Sequence, residues 1–343
     1  MARQKLDSLP SDIGAWVEGL FDTSNLGLTL QSGGINNKVY LLEAGKERVI
    51  LKMYAAPPAG QPDRFQAEAD FLSYANKVAN GYVPELIQVS QHRRLVLMEF
   101  VPGSIYATDF QPGKIEVARA AEFIKALNAD LDAAKAGIRS QATEGYLSLT
   151  DHASNVDQRI RELAASHLPA AYQSTAKSLI KIVKDDWDAA QDTLESVLDE
   201  GTVTDSLDQS YLCVSPSDFG FHNAVPNGTT PVFIDFEFSG WDDPCKLVTD
   251  FFLQPRIPVP TSFKTLMEEA VAPIIPLDIL RPRSQLLQAV LRVKWMTIVL
   301  AVLRPARFES MLENTGDQAA NELIIERFAR AYRIIDGENG GLS

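Results

Sequence analysis

The sequence predicts an α+β chain in two lobes: a small front lobe on a five-stranded antiparallel sheet with one helix, and a larger, mainly helical back lobe. Three observations carry this. Strand-like runs fill the first hundred residues with a single long helical stretch among them. Alanine-rich helical periodicity dominates afterwards. One short β segment, bearing polar residues at fixed spacing, interrupts the helices.

A short N-terminal helix leads in. Leu26 to Gln31 and Lys38 to Glu43 read as strands flanking Ser32-Gly33-Gly34-Ile35-Asn36-Asn37, and Ala44-Gly45-Lys46 turns the chain into a third strand from Arg48 to Tyr54. Pro57, Pro58, Gly60 and Pro62 mark a loop, followed by a helix from about Asp63 to Lys77. Leu86 to Ser90 and Leu95 to Phe100, joined at Gln91-His92-Arg93, complete the five strands. Val101-Pro102-Gly103 ends the lobe, so residues 1–101 are assigned to the front and 102–343 to the back. Helical patterns follow near Val117 to Ala136, Asn155 to Leu163 and Ala176 to Leu198, then at Ser262 to Val271, Gln285 to Leu303 and Ala319 to Ile335. Two such lobes predict a cleft.

Composition narrows the function. Of 343 residues 45% are hydrophobic, enough for a substantial core. A net charge of −13 excludes the basic face that nucleic-acid binding needs, and suits a cationic small molecule. Cys213 and Cys245 are too few for a disulfide framework and read as buried thiols in a reducing cytoplasm. The N-terminal stretch from Met1 to Pro10 has no apolar core of a signal peptide. The run from Trp295 to Leu303, flanked by Lys294 and Arg304, reads as a buried helix, so no membrane partner is expected. Trp241 and Trp295 can offer a face to a cation or serve as core aromatics. The histidines and cysteines show no metal-ligand spacing, and neither a G-x-G-x-x-G, a Walker motif nor a G-x-S-x-G elbow occurs.

The chemistry concentrates in Ser217-Asp218-Phe219-Gly220-Phe221-His222-Asn223 and in Val232-Phe233-Ile234-Asp235-Phe236-Glu237. One aspartate can accept the proton of an attacking hydroxyl, while an asparagine and a second aspartate can hold Mg²⁺ against nucleotide phosphates. Pro226-Asn227-Gly228-Thr229 is a strong hairpin signal, and folding there returns Asp235 to the mouth occupied by Asn223. Lys52 sits in a strand apolar on both faces, Val49, Leu51 and Met53 on one and Ile50 and Tyr54 on the other. It either snorkels from an edge or needs a buried carboxylate partner. Glu68 shares a helical face with Phe71, Leu72 and Ala75 and points inward as that partner. Gly33-Gly34 is either a plain hairpin turn or a place where backbone can approach phosphates closely.

In chain order, Gly33-Gly34, Lys52, Glu68, Leu95 to Phe100 running into Pro102-Gly103, Asp218, Asn223 and Asp235 resemble the aminoglycoside phosphotransferase and choline kinase-like family, a small-molecule branch of the protein-kinase-like fold. The segment Ile234 to Pro244 is similar to that family's metal-binding segment and its following Gly-x-x-Asp-Pro. The resemblance implies that Lys52 binds the α- and β-phosphates with Glu68 orienting it, under a loop at Gly33 and Gly34. Met98, Glu99 and Val101 would form the hinge beside the base. Asp218 would be the catalytic base, and Asn223 and Asp235 the magnesium ligands. Asp243 would anchor the fold. ATP is the implied donor, with GTP as the alternative, and the acceptor is a small-molecule hydroxyl on an amino sugar, sugar or amino alcohol, taken by the back lobe.

One position departs. The family usually has histidine two residues before the base, where this chain has Pro216. Proline offers no side-chain donor, though its fixed φ stiffens the loop by another route. The alternative this raises is a pseudokinase, binding nucleotide or a metabolite as a sensor or scaffold without transfer.

Overall fold

The computed structural model describes residues 9–21, 26–31, 37–165 and 170–335. The chain forms two compact units that do not follow it in a single cut. The first comprises Met1–Ala107, Phe123–Thr143 and Val214–Trp241; the second comprises Thr108–Glu122, Glu144–Cys213 and Asp242–Ser343.

The first unit opens with helix α1 (Ser11–Glu18) and a sheet of β1 (Leu26–Leu30), β2 (Asn37–Ala44), β3 (Glu47–Tyr54), β4 (Leu86–Ser90) and β5 (Leu95–Glu99), with α2 (Arg64–Val78) between β3 and β4. The strand order is β1-β2-β3-β5-β4, and each neighbouring pair is antiparallel. At the β2–β3 turn Gly45 takes φ 62°, a conformation glycine adopts without a Cβ penalty. Alternation then sorts β3. Val49, Leu51 and Met53 join Leu28, Tyr40, Leu42, Leu95 and Leu97 in a core closed by Ile13 and Val17 of α1. Ile50, Lys52 and Tyr54 point the other way, as period two requires.

Helix α2 starts where Asp63 accepts a hydrogen bond from the Gln66 N–H (3.2 Å), and Arg94 locks that cap through two bonds of 2.6 and 3.0 Å. The expected single helix from Val117 to Ala136 is two, α3 (Lys114–Leu127) and α4 (Leu131–Gly137). The reason is tertiary. Asn128 turns its amide to Val214, donating to its carbonyl (3.0 Å) and accepting from its N–H (2.7 Å), and Asp130 caps the new helix by accepting from Ala133.

Strand β6 (Cys213–Ser215) pairs with β9 (Gly240–Asp242), and β7 (Ala224–Asn227) with β8 (Thr230–Phe233). The second pair is the expected hairpin, with Asn227 opposite Thr230 and Ala224 opposite Phe233. Gly240 must be glycine, since a Cβ there would lie 2.5 Å from the Ala142 backbone nitrogen.

The second unit is helical: α5 (Leu149–Ala164), α6 (Ala170–Asp199), α7 (Pro244–Leu253), α8 (Lys264–Val271), α9 (Leu277–Val299) and α10 (Pro305–Ile335). Helix α9 packs against α5, α6, α7 and α10. The run ending at Leu303 is longer than Trp295 to Leu303 suggests. Residues Leu277–Leu303 are long and apolar enough by length and composition to cross a membrane, and 61% of their most apolar window is buried inside the protein. Helix α7 has no counterpart among the sequence expectations. Every one of its residues is buried, so it lacks the polar face that makes periodicity visible. Its signature is instead the cap, Asp243 accepting from the Cys245 N–H (2.7 Å), with Pro244 at the first helical position.

Charges in this unit are buried in matched pairs. Arg283 donates to Asp243 (2.7 Å) and to the carbonyls of Leu147, Thr204 and Asp205. Lys294 bonds both oxygens of Asp250 at 3.0 and 2.8 Å, and Lys246 bonds Asp242 at 2.7 Å. Trp295 donates to Asp250 (2.9 Å) and lies 5.6 Å from the Lys294 ammonium, so its ring serves a cation of this chain.

His152 is buried beside this cluster. Burial, then the charges of Lys294, Lys246 and Arg283, hold its imidazole well below the usual 6.5. Below pH 6.5 the unfolded chain therefore takes up a proton that the folded chain refuses, and stability falls as pH drops through that range. His152→Gln is expected to flatten the loss of melting temperature between pH 7 and pH 5; an unchanged slope would assign the acid sensitivity elsewhere.

Candidate active site

The site lies in the first unit and begins with the isolated cation of β3. Lys52 is 7% exposed and Glu68 of α2 is fully buried. The ammonium contacts Glu68 Oε1 at 2.8 Å and Oε2 at 3.0 Å, and Asp235 Oδ1 at 2.8 Å. Burial opposes the charge on Lys52, but the Glu68 and then the Asp235 carboxylates outweigh it and raise its pKa. Burial pushes the Glu68 carboxyl up while Lys52 pulls it down. With both oxygens within 3.0 Å of one ammonium, the pair is held as ions. Lys52 thus has the buried partner, and the snorkelling alternative falls away. Glu68 Oε1 also accepts from the Phe236 N–H (3.3 Å), which ties α2 to the chain just past Asp235.

Asp235 itself holds φ 68° and its side chain is 44% exposed. A left-handed aspartate is strained, and it persists here between the Lys52 bond and the Phe71–Phe236 stack (4.4 Å). Two residues on, Glu237 accepts from Asn37 at the start of β2 (2.8 Å) and from Arg64 at the start of α2 (3.1 Å). Burial and then Asp235 raise the Glu237 carboxyl, against Arg64, Lys52 and Asn37.

The Asp218 loop is positioned by aromatics. Phe219 packs 4.8 Å from Phe233 and 5.9 Å from Phe123, while Phe221 meets Tyr106 edge-on at 5.6 Å. Ser217 before it takes φ 66° and donates from Oγ to the Thr143 carbonyl (3.3 Å). Asp218 is left 37% exposed, with Oδ1 facing His222 Nε2 (3.1 Å) and Oδ2 accepting from Asn223 Nδ2 (3.2 Å). The Asn223 amide nitrogen also donates to the Asp218 carbonyl (3.0 Å), which turns its own amide oxygen away from Asp218. The hairpin does what its turn signal implied: the Ile234 N–H donates to the Asn223 carbonyl (2.8 Å), one residue before Asp235.

The hinge candidates lie at the end of β5. Met98 pairs across from Ile50 and Val96 from Lys52, so all four side chains leave the same face of the sheet. Glu99 leaves the opposite face across from Val49, with its N–H bonded to the Glu85 carbonyl (2.9 Å) and its carboxylate accepting from the Glu85 N–H (3.2 Å). Val101 follows the strand, half-buried. Gly33 and Gly34 lie outside the described residues. Sequence reasoning did not place Asn37, Arg64 or His222 in this cluster. The first two are brought in by contacts 200 and 173 residues away along the chain; His222 was findable by its four-residue spacing from Asp218.

Residues 27–246 match the model of the phosphotransferase enzyme family. The chain belongs to that family. The phosphotransferase also superposes on solved structures at low identity. A choline/ethanolamine kinase family protein from Mesorhizobium loti is 18% identical with a TM-score of 0.51, over 90% of this chain and 88% of that one. A choline kinase from Cryptosporidium parvum is 12% identical with a TM-score of 0.54, over 92% of each. A spectinomycin phosphotransferase, solved with ADP and spectinomycin, is 11% identical with a TM-score of 0.58, over 90% and 88%. At such identities the likeness establishes the fold, and the fold is the protein-kinase-like one expected, a five-stranded antiparallel sheet with a helical lobe. No curated protein sequence matches the chain. The family makes this phosphotransferase a small-molecule kinase.

Lys52→Met strands a fully buried Glu68 beside Asp235. Breaking a buried pair this way costs about 3–5 kcal/mol. Burial, and then the Asp235 charge, raise Glu68 above its usual 4.5 with only the Phe236 N–H left to oppose them. The folded state binds the proton more tightly, so stability is retained near pH 4.5 and lost as pH rises. The melting-temperature gap between wild type and variant is expected to be wider at pH 8 than at pH 5; equal gaps would contradict the assignment.

Proposed function

We propose that this phosphotransferase moves the γ-phosphoryl group of ATP, with Mg²⁺, to a hydroxyl of a small molecule. The observation that carries the reading is Lys52 held at 2.8 Å by both Glu68 and Asp235, a cation fixed in position beside the loop residue assigned to metal. Lys52 binds the α- and β-phosphates and Glu68 keeps it aligned for them. Asp218, oriented on two sides and exposed on a third, accepts the proton of the acceptor hydroxyl. The side chains at Met98 and Ile50 lie on the face that carries Lys52, where a base can stack, and the backbone from Glu99 to Val101 borders it.

The donors present suit Mg²⁺. A hard dication takes oxygen ligands, and the Asn223 amide oxygen and the Asp235 carboxylate are of that kind. When bound, the metal would neutralise phosphate charge developing in transfer. Positioning and this neutralisation supply most of the rate, and a general base contributes about 10²–10⁴-fold.

The acceptor we place among amino sugars, sugars and amino alcohols. The net charge of −13 favours a cationic one, and related folds include a choline kinase and a spectinomycin phosphotransferase. ATP is preferred as donor, with GTP as the alternative, and the setting is cytoplasmic.

The test is a thermal-shift titration with Mg-ATP, with and without EDTA, alongside ADP release over a panel of those acceptors. A ligand bound only by the native state raises the melting temperature by mass action. Magnesium-dependent stabilisation with acceptor-dependent ADP release is expected; no shift at millimolar Mg-ATP would overturn the nucleotide reading. Asp218→Asn is expected to lower turnover by about 10²–10⁴-fold with the Mg-ATP shift intact. Asp235→Ala is expected to abolish the magnesium-dependent part of that shift. Near-normal turnover in Asp218→Asn would remove the base from Asp218.

A further inference from the structure

Pro216 puts no side-chain donor at the position two residues before Asp218, yet the Asp218 carboxylate is not loosely held. Its Oδ1 lies 3.1 Å from His222 Nε2 and its Oδ2 3.2 Å from Asn223 Nδ2. We infer that His222 is the positioning residue of the base, donating from Nε2 to Asp218 from the far side of the loop. The inference rests on the reading of Asp218 as base.

Three features support it. An ionised carboxylate only accepts hydrogen bonds, so the ring nitrogen facing it carries the proton. The other nitrogen, Nδ1, is buried and meets no hydrogen-bond partner among the described residues. A proton there would be an orphaned buried donor, so Nε2 is the nitrogen whose proton this pocket satisfies. Finally, the ring cannot swing away. His222 is 4% exposed and sits in the single turn Phe221–Asn223, anchored on one side by the buried Phe221 and on the other by the Asn223 carbonyl, which accepts from Ile234. Consecutive residues of one turn thus grip the two carboxylate oxygens, and the register of that turn sets the direction in which Asp218 faces an incoming hydroxyl.

A side chain that only fills space differs from one that orients a base in what its replacement does. His222→Phe keeps a ring and removes the donor, whereas His222→Gln keeps an N–H at similar reach. Turnover is read as ADP release from Mg-ATP, with water as acceptor and with the panel compound that gives turnover. His222→Phe is expected to lose between about tenfold and 10²-fold in kcat, the scale of a misplaced catalytic group. KM for ATP and the Mg-ATP thermal shift should stay at wild-type values, and His222→Gln should recover most of the rate. In the Asp218→Asn background, His222→Phe should cost no further activity, because its effect passes through Asp218. Wild-type kcat in His222→Phe alongside a crippled Asp218→Asn would overturn the proposal and leave the base in place. Equal losses in His222→Phe and His222→Gln would overturn it in favour of packing. Near-normal Asp218→Asn would instead fail the base reading itself. Nitrogen NMR of the histidines in the wild-type protein, assigned by the signal missing from His222→Gln, gives a readout independent of turnover. A proton on Nε2 supports the proposal, and a ring protonated at Nδ1 alone overturns it.

Discussion

A lysine ammonium placed on the apolar face of a central strand cannot remain there alone. Taking an unpaired charge out of water is among the largest penalties a fold can incur, so everything near Lys52 is arranged to prevent it. Glu68 must face inward from α2, which requires that helix to start at Asp63 and run with its apolar side to the sheet. Asp235 must come up to the same nitrogen, which requires the β7–β8 hairpin to return the chain and a left-handed backbone to aim the side chain. The Phe236 N–H then closes the arrangement on Glu68. The constraint that stabilises the first unit also fixes the cation that the proposed function gives to phosphate.

The helical unit meets the same penalty with different partners. Lys246, Lys294 and Arg283 are buried against Asp242, Asp250 and Asp243, each bonded within 3.0 Å. Asp243 both caps α7 and neutralises Arg283, and Arg283 satisfies three carbonyls of the chain before α7. These groups are saturated by one another, which fits an anchoring role for Asp243. Asp218 and Asp235, by contrast, keep over a third of their side chains exposed, which the ligand roles proposed for them require.

Much of the fold was legible because local chemistry and final structure agree. The five strands, the turn at Gly45, helix α2 and the Asn227-Gly228 hairpin follow from alternation and turn residues that tertiary contacts do not override. Where they disagree, contacts far apart in sequence decide. Helix α3 stops at Leu127 because Asn128 is claimed by Val214, and α7 is hidden because burial on every side erases its periodicity. Of the candidate site, Lys52, Glu68, Asp218, Asn223 and Asp235 could be named from residue type and order.

The sequence by itself determined which groups are charged, which lie on strands or helices, and in what order they occur; these depend on near neighbours and on the period of the backbone. Only the tertiary structure decided that Lys52 meets two carboxylates at once, that Glu237 binds Asn37 and Arg64, and that His222 faces Asp218. Distances of about three ångströms between groups up to 200 residues apart arise from packing the whole core, and no local pattern encodes them.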